Sequence, residues 1–220
     1  TLEEGWFYEG AGIYRDAWLT KTSAVSVAPF GTFVYADIKQ PYTSATIHIN
    51  NEISNHSLKA TTCEVEQRLL DAEGHEVGKT TIATITLRPK ETSDCKQTLS
   101  LQAPHLWSTT DPYLYKVETT VKVDGHVADV YETTTGIRDI AFDADRGFLL
   151  NGQPLKLKGV NMHQDHAGVG AAIPDALQAW RIKQLKQFGC NAYRASHNPM
   201  TPALLDICDR EGILVIDENR

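Results

Sequence analysis

The chain has 220 residues, of which 41% are hydrophobic, 22% charged and 8% aromatic, a composition that excludes a disordered or fibrous protein and suits one or two globular domains. Lys and Arg number 21 against 28 Asp and Glu, a net charge of −7, and without a basic run there is no electrostatic footprint for nucleic acid. No apolar stretch approaches the roughly 18 residues of a membrane span, and the opening Thr1-Leu2-Glu3-Glu4 carries no charged-then-apolar signal region, so the chain reads as soluble, or exported with its leader removed, and its compartment stays open.

Up to about residue 140 the hydrophobic repeat is two. Thr46, His48 and Asn50 alternate with Ile47 and Ile49, and Tyr113, Tyr115, Val117, Thr119 and Val121 alternate with Leu114, Lys116, Glu118 and Thr120, the pattern of strands with one wet face. Similar runs fall at 13–19, 33–38, 60–70, 78–87, 97–102 and 126–134, punctuated by Asn50-Asn51, Asp71-Ala72-Glu73-Gly74 and Asp124-Gly125. Some seven to nine short strands without a helical period predict an immunoglobulin-like β-sandwich. The four cysteines, 63, 95, 190 and 208, lack zinc-site spacing. They read as buried thiols, with a Cys63–Cys95 bridge between neighbouring strand-like segments as the alternative.

Beyond 140 the punctuation changes. Gly147-Phe148-Leu149-Leu150 turns at Asn151-Gly152 into Leu155 to Val160, a hairpin signal because both turn residues accept positive φ. A helix is predicted from about Pro174 to Phe188, with Leu177, Trp180, Leu185 and Phe188 on one face and Gly189 as its stop. Asn191 to Arg194 reads as a buried strand. A second helix starts with Thr201 as N-cap and Pro202 at N1, ends at Gly212, and precedes the strand Ile213 to Ile216. Two consecutive βα units predict a parallel sheet, and three strands with two helices look like the first part of something larger, since a (β/α)8 barrel needs about 250 residues.

Parallel α/β architectures carry their chemistry at the carboxyl ends of strands. Here those ends are Asn161-Met162-His163-Gln164-Asp165-His166, Arg194-Ala195-Ser196-His197-Asn198-Pro199 and Asp217-Glu218-Asn219. Three successive polar clusters predict a shared pocket.

The run Gly189 to Pro199, continuing through Leu205 to Gly212 and Val215 to Glu218, resembles the barrel opening of glycoside hydrolase family 2, the family of β-galactosidases, β-glucuronidases and β-mannosidases. Gly147 to His163 resembles its entry into the barrel, Leu106-Trp107-Ser108 with Asp111 to Tyr115 a late segment of its immunoglobulin-like domain, and Gly10 to Asp16 the end of its N-terminal jelly roll. The resemblance implies three parts: the jelly-roll tail at 1–22, the β-sandwich at 23–138, and the start of a truncated (β/α)8 TIM barrel at 139–220. The Ser-His-Asn-Pro form at 196–199, with Gly170-Ala171-Ala172, is more similar to β-galactosidases than to glucuronidases, which tend to Ser-His-Tyr-Pro.

By match to that pattern, His163, Arg194 and His197 are expected to hydrogen-bond the hydroxyls of the non-reducing sugar, with Asp165 and Asn198 on the same wall. Imidazole offers one donor and one acceptor, and guanidinium several donors in a fixed fork. Asp217 and Glu218 are expected behind the wall. Retaining glycosidases need two carboxyl groups about 5 to 5.5 Å apart. In the family the acid/base and nucleophile glutamates lie at the fourth and seventh strand ends, so no catalytic residue is expected in these 220 residues, and the chain alone is expected to be inactive. No equivalent of the jelly-roll carboxylate that some members add can be placed on Glu3, Glu4 or Glu9. The resemblance implies no cofactor or metal in this chain, admits Mg or Na in the parent enzyme, and makes a β-galactoside-type carbohydrate the partner. An open barrel edge suggests a homo-oligomer through residues 155–220.

Two other classes compete. A carbohydrate-binding or structural module would use the sandwich alone, with Trp6, Trp18 or Trp107 stacking on sugar, although Trp107 suits core packing better. A small complete α/β enzyme would use His163, His197 and Asp217 as a metal or hydrolytic site, without a zincin motif or nucleophile elbow to support it.

Overall fold

The computed structural model of the chain describes residues 12–219. Trp6, Glu3, Glu4, Glu9 and the first two residues of the Gly10–Asp16 stretch lie outside the described residues. Eight strands form the first unit: β1 (Val25–Ile38), β2 (Ser44–Asn55), β3 (Thr61–Leu70), β4 (Glu76–Lys79), β5 (Ala83–Leu87), β6 (Thr92–Gln102), β7 (Tyr115–Val123) and β8 (His126–Thr135). They make two antiparallel sheets, β1-β2-β6 and β4-β3-β7-β8 with β5 on β3, packed face to face through their alternating apolar positions.

The sandwich core is divided. One cluster gathers Ile47, Ile49, Leu69, Leu99 and Val117; the other gathers Val27, Ile53, Val65, Leu87 and Val121. Between them in each strand sits a polar residue without exposure: Asn51, Gln67 and Thr119. Asn51 Oδ1 accepts from Thr32 Oγ1 at 2.8 Å and from Thr119 Oγ1, across the sandwich, at 3.3 Å. Asn51 lies inside β2, opposite Thr32 and Cys95 in the ladders, although Asn50-Asn51 reads as strand punctuation; its Oδ1 is met by these bonds, while its Nδ2 is buried without a partner among the described residues.

Two other expectations are corrected. Residues 13–19 are not a strand; Ile13 and Leu19 are exposed, because local alternation needs a neighbouring strand to become a ladder. The run 78–87 is two strands, broken where Thr80 turns inward to receive Gln67 N at 3.0 Å through its hydroxyl. The four cysteines are free. Cys63 and Cys95 share the second cluster, and burial pushes the Cys63 thiol up to about 11.

A small sheet follows: β9 (Ile140–Asp143), β10 (Gly147–Leu150) and β11 (Gln153–Pro154), in the order β11-β10-β9. Asn151 and Gly152 both have positive φ, 51° and 72°, as a two-residue hairpin turn requires. The return strand pairs only over Gln153–Pro154, not through Val160 as the pattern suggests. The chain then leaves to form β12 (Gly159–His163), followed by α1 (Asp175–Gln187), β13 (Ala192–Ser196), α2 (Pro202–Glu211) and β14 (Leu214–Ile216). The three strands are parallel in the order β12-β13-β14.

Both helices pack over Tyr193 and Ala195, burying Ile182, Leu204, Ile207 and Cys208. Pro174 is the N-cap of α1 and lies outside its first turn. Its buried face is Gln178 and Ile182; Trp180 and Phe188 are exposed, contrary to the apolar stripe expected. A polar residue takes the inner position because Gln178 is satisfied there, donating to Asp175 Oδ1 at 3.2 Å and accepting from Thr201 Oγ1 at 3.1 Å. Helix α2 follows its signals: Thr201 Oγ1 accepts from Leu204 N at 3.3 Å, Pro202 is at N1, and Gly212 closes the helix at φ 69°.

The two units are joined through Trp107. It is buried with Leu150, Ala192 and Leu214, and its Nε1 donates to Asp209 O of α2 at 2.8 Å. Lys186 of α1 adds bonds to Thr109 O and to Gly212 O. This joint fixes the sandwich against the parallel sheet. Trp107 is therefore a packing residue, while Trp18 is exposed.

Candidate active site

The parallel register brings the strand ends level. His163 pairs with Ser196, and Arg194 with Ile216, so the residues after β12, β13 and β14 open onto one edge. Tyr193, between Arg194 and Ala192, points the other way into the helices; its hydroxyl donates to Met162 O at 3.1 Å, and burial pushes its phenol up to about 12. Alternation along β13 therefore sends Arg194 to the opposite face.

Glu218 is the hub of that edge. Its Oε1 accepts from Arg194 Nη2, and its Oε2 lies 2.8 Å from His197 Nδ1. A carboxylate can only accept, so Nδ1 carries the proton and donates. His197 follows a cis peptide after Ser196, and its ring meets that of His163 edge-on, with centroids 5.1 Å apart and planes at 86°. All four side chains are half-buried, packed enough to be held and open enough to meet a ligand.

The other named residues sit around this group. Asp165 lies in the loop after β12, where its backbone carbonyl accepts from Arg181 Nη1 at 2.9 Å. Asn198 Oδ1 is buried without a protein partner among the described residues. Asp217 is exposed, and its carboxylate receives Glu218 N at 3.1 Å. Glu218 thus directly orients two of the expected sugar-binding groups. Among the described residues no group of three His, Cys, Asp or Glu is gathered as metal ligands, so His163, His197 and Asp217 do not form the metal site of the small-enzyme reading.

Two arginines outside the predicted set also bind the site loops. Arg181, on α1, donates to Asp165 O and, at 3.4 Å, to His163 O; burial lowers its pKa. Arg15 donates to Gln164 Oε1 at 2.7 Å and to Pro199 O at 2.5 Å. Arg181 carries no local signal, being one cation on a helix rich in Lys and Gln, whereas Arg15 lies in the Gly10–Asp16 stretch that resembles the family, where nothing local points to the barrel loops.

Residues 27–138 match the family described as glycosyl hydrolases family 2, and residues 143–220 match glycosyl hydrolases family 2, TIM barrel domain. The chain belongs to glycosyl hydrolase family 2. Its first unit is accordingly the family's immunoglobulin-like sandwich, and β12-α1-β13-α2-β14 is the opening of its TIM barrel. It is 40% identical over 96% of its length to β-galactosidase BoGH2A of Bacteroides ovatus, and 34% identical over 96% to a putative β-glucuronidase of Formosa agariphila. It spans 25% and 20% of those two proteins. Among solved structures, a family 2 member from Bacteroides cellulosilyticus superposes with a TM-score of 0.90 at 38% identity, covering 97% of this chain and 29% of that one. A Bacteroides uniformis β-glucuronidase superposes with a TM-score of 0.88 at 31% identity, covering 94% of this chain and 26% of that one. In TIM-barrel enzymes the active site lies at the carboxyl ends of the strands, the edge occupied here by His163, Arg194, His197 and Glu218.

Proposed function

We propose that this chain is part of a retaining β-glycosidase, most like a β-galactosidase, that removes terminal β-linked galactose from oligosaccharides or glycoconjugates. The observation that carries this reading is the convergence of Arg194 and His197 on Glu218, with the His163 ring against His197. A sugar offers a ring of hydroxyls, each a donor and an acceptor. His197, oriented through Nδ1 by Glu218, and Arg194, which keeps guanidinium donors beyond the one bonded to Glu218, are the groups set to meet such hydroxyls. His163 adds a second imidazole, and Asn198 and Asp165 extend the same wall.

A retaining mechanism uses one carboxylic acid to protonate the leaving oxygen and a second carboxylate to attack the anomeric carbon. Glu218 suits neither role, because both of its oxygens are engaged by Arg194 and His197. On this reading Glu218 positions the sugar-binding groups, and the 220-residue chain alone is expected not to hydrolyse a glycoside. Among the relatives, both a β-galactosidase and β-glucuronidases match. Asn198 in Ser196-His197-Asn198-Pro199 favours the former.

The test is to express the complete reading frame containing this sequence and assay aryl β-galactoside and aryl β-glucuronide side by side. Galactoside turnover with retained configuration is expected, and His197→Ala should reduce it at least about tenfold, the scale of one lost charge-assisted hydrogen bond. Preference for the glucuronide overturns the galactosidase assignment. Hydrolysis by the purified 220-residue chain itself overturns the role given to Glu218.

A further inference from the structure

We propose that Arg15 is a positioning residue of the sugar site, spacing the loops after β12 and β13 so that His163 and His197 face one substrate together. The proposal rests on the glycosidase reading for its consequence, but its geometry stands apart from it. A single guanidinium nitrogen, Nη2, donates to Gln164 Oε1 at 2.7 Å and to Pro199 O at 2.5 Å. Gln164 directly follows His163, and Pro199 lies two residues after His197. One nitrogen with two hydrogens therefore ties together the two loops that carry the paired imidazoles.

The guanidinium is half-buried, with its Cζ 5.5 Å from the centre of the Tyr14 ring, a distance at which ring and cation attract. On the opposite side Arg181 holds the carbonyls of His163 and Asp165. The β12 loop is thus pinned from the helix layer by Arg181, whereas the link from that loop to the β13 loop runs through Arg15. Beyond Ser196 the parallel ladder has ended, so backbone pairing no longer sets the distance between them. The segment preceding the sandwich consequently takes part in the site although it is 149 and 184 residues from the loops it joins.

The test compares Arg15→Met with Arg15→Lys, which have stems of similar bulk and differ in donors. In the complete protein, selectively labelled at histidine, the contact between the His163 and His197 rings is read by nuclear Overhauser effects, and the Gln164 and Asn198 amides by hydrogen exchange. Arg15→Met should lose the ring contact and speed exchange at both amides, while Arg15→Lys, which keeps an ammonium able to donate twice, should retain most of both. In the complete enzyme Arg15→Met should lower kcat/KM about tenfold or more and be non-additive with His197→Ala, because a misplaced imidazole has less left to lose. A ring contact that survives in Arg15→Met, or equal behaviour of Met and Lys, overturns the proposal. Loss of the ring contact in a complete protein that hydrolyses no aryl glycoside would sink the glycosidase reading and leave the positioning role standing.

Discussion

Glu218 holds His197 by its Nδ1, at 2.8 Å, with the carboxylate oxygen not used by Arg194. The imidazole is fixed in tautomer and direction by a residue that follows the next strand, so its orientation is set by the sheet register as well as by the loop that carries His197.

Replacing that carboxylate tests the relationship. Glu218→Gln keeps the shape, but its amide nitrogen must face either Arg194 or His197, and both are donors. Because the partners are more than a third exposed, at 39% and 36%, solvent screening limits the stability loss to about 1 kcal/mol. An unfolding free energy lowered by that amount, read as a lower urea midpoint with an unchanged slope, is expected, together with a change in the His197 ring nitrogen shifts.

The Trp107 joint should respond to a subtler change. Trp107→Phe keeps an aromatic in the cluster with Leu150, Ala192 and Leu214 but leaves Asp209 O without the 2.8 Å bond from Nε1. An unmade buried hydrogen bond costs about 1–3 kcal/mol. Calorimetry should show a lower Tm, with the barrel segment loosening from the sandwich first in hydrogen exchange.

The ends of α2 make a paired prediction. Gly212 sits at φ 69°, and a Cβ there would fall 2.6 Å from Thr109 O, so Gly212→Ala combines left-handed strain with a backbone clash and should cost about 2 kcal/mol or more. Thr201→Ala removes one N-cap bond and should cost about 1 kcal/mol. Equal effects in denaturation would contradict the closeness of Gly212 to Thr109.

Alkaline pH should destabilise the fold. Burial pushes the Cys63 thiol up to about 11 and the Cys208 thiol up to about 12, from 9.0. The unfolded chain gives up these protons first, so the folded state binds more of them above about pH 9, and stability falls as pH rises towards the folded values. Each thiol contributes at most about 1.4 kcal/mol per pH unit in that window. Denaturant midpoints at pH 7 and pH 10 should differ accordingly, and Cys208→Ala should flatten the slope while lowering stability at both.

Much of the architecture was legible locally. The period-two runs around Ile47 and Val117 became β2 and β7, Asn151-Gly152 became a tight turn, and Thr201-Pro202 and Gly212 bound α2 as their chemistry demands. The failures share one cause. Residues 13–19 alternate without a strand to pair with, and Trp180 and Phe188 lie on a helix whose inner face is chosen by what Gln178 can bond to. Local pattern cannot see a partner.

The candidate site divides in the same way. The sequence alone determined that polar groups follow three successive parallel strands, and its resemblance picked out His163, Arg194 and His197 among them. Only the tertiary structure decided that Glu218 would grip two of these groups, that Arg181 would hold the loop beneath the first, and that Arg15 would bridge both loops. Strand and helix signals act over a few residues through backbone geometry, whereas these bonds join residues 24, 21, 18, 149 and 184 positions apart, and such contacts exist only once the sheet register and the Trp107 joint have brought their carriers together.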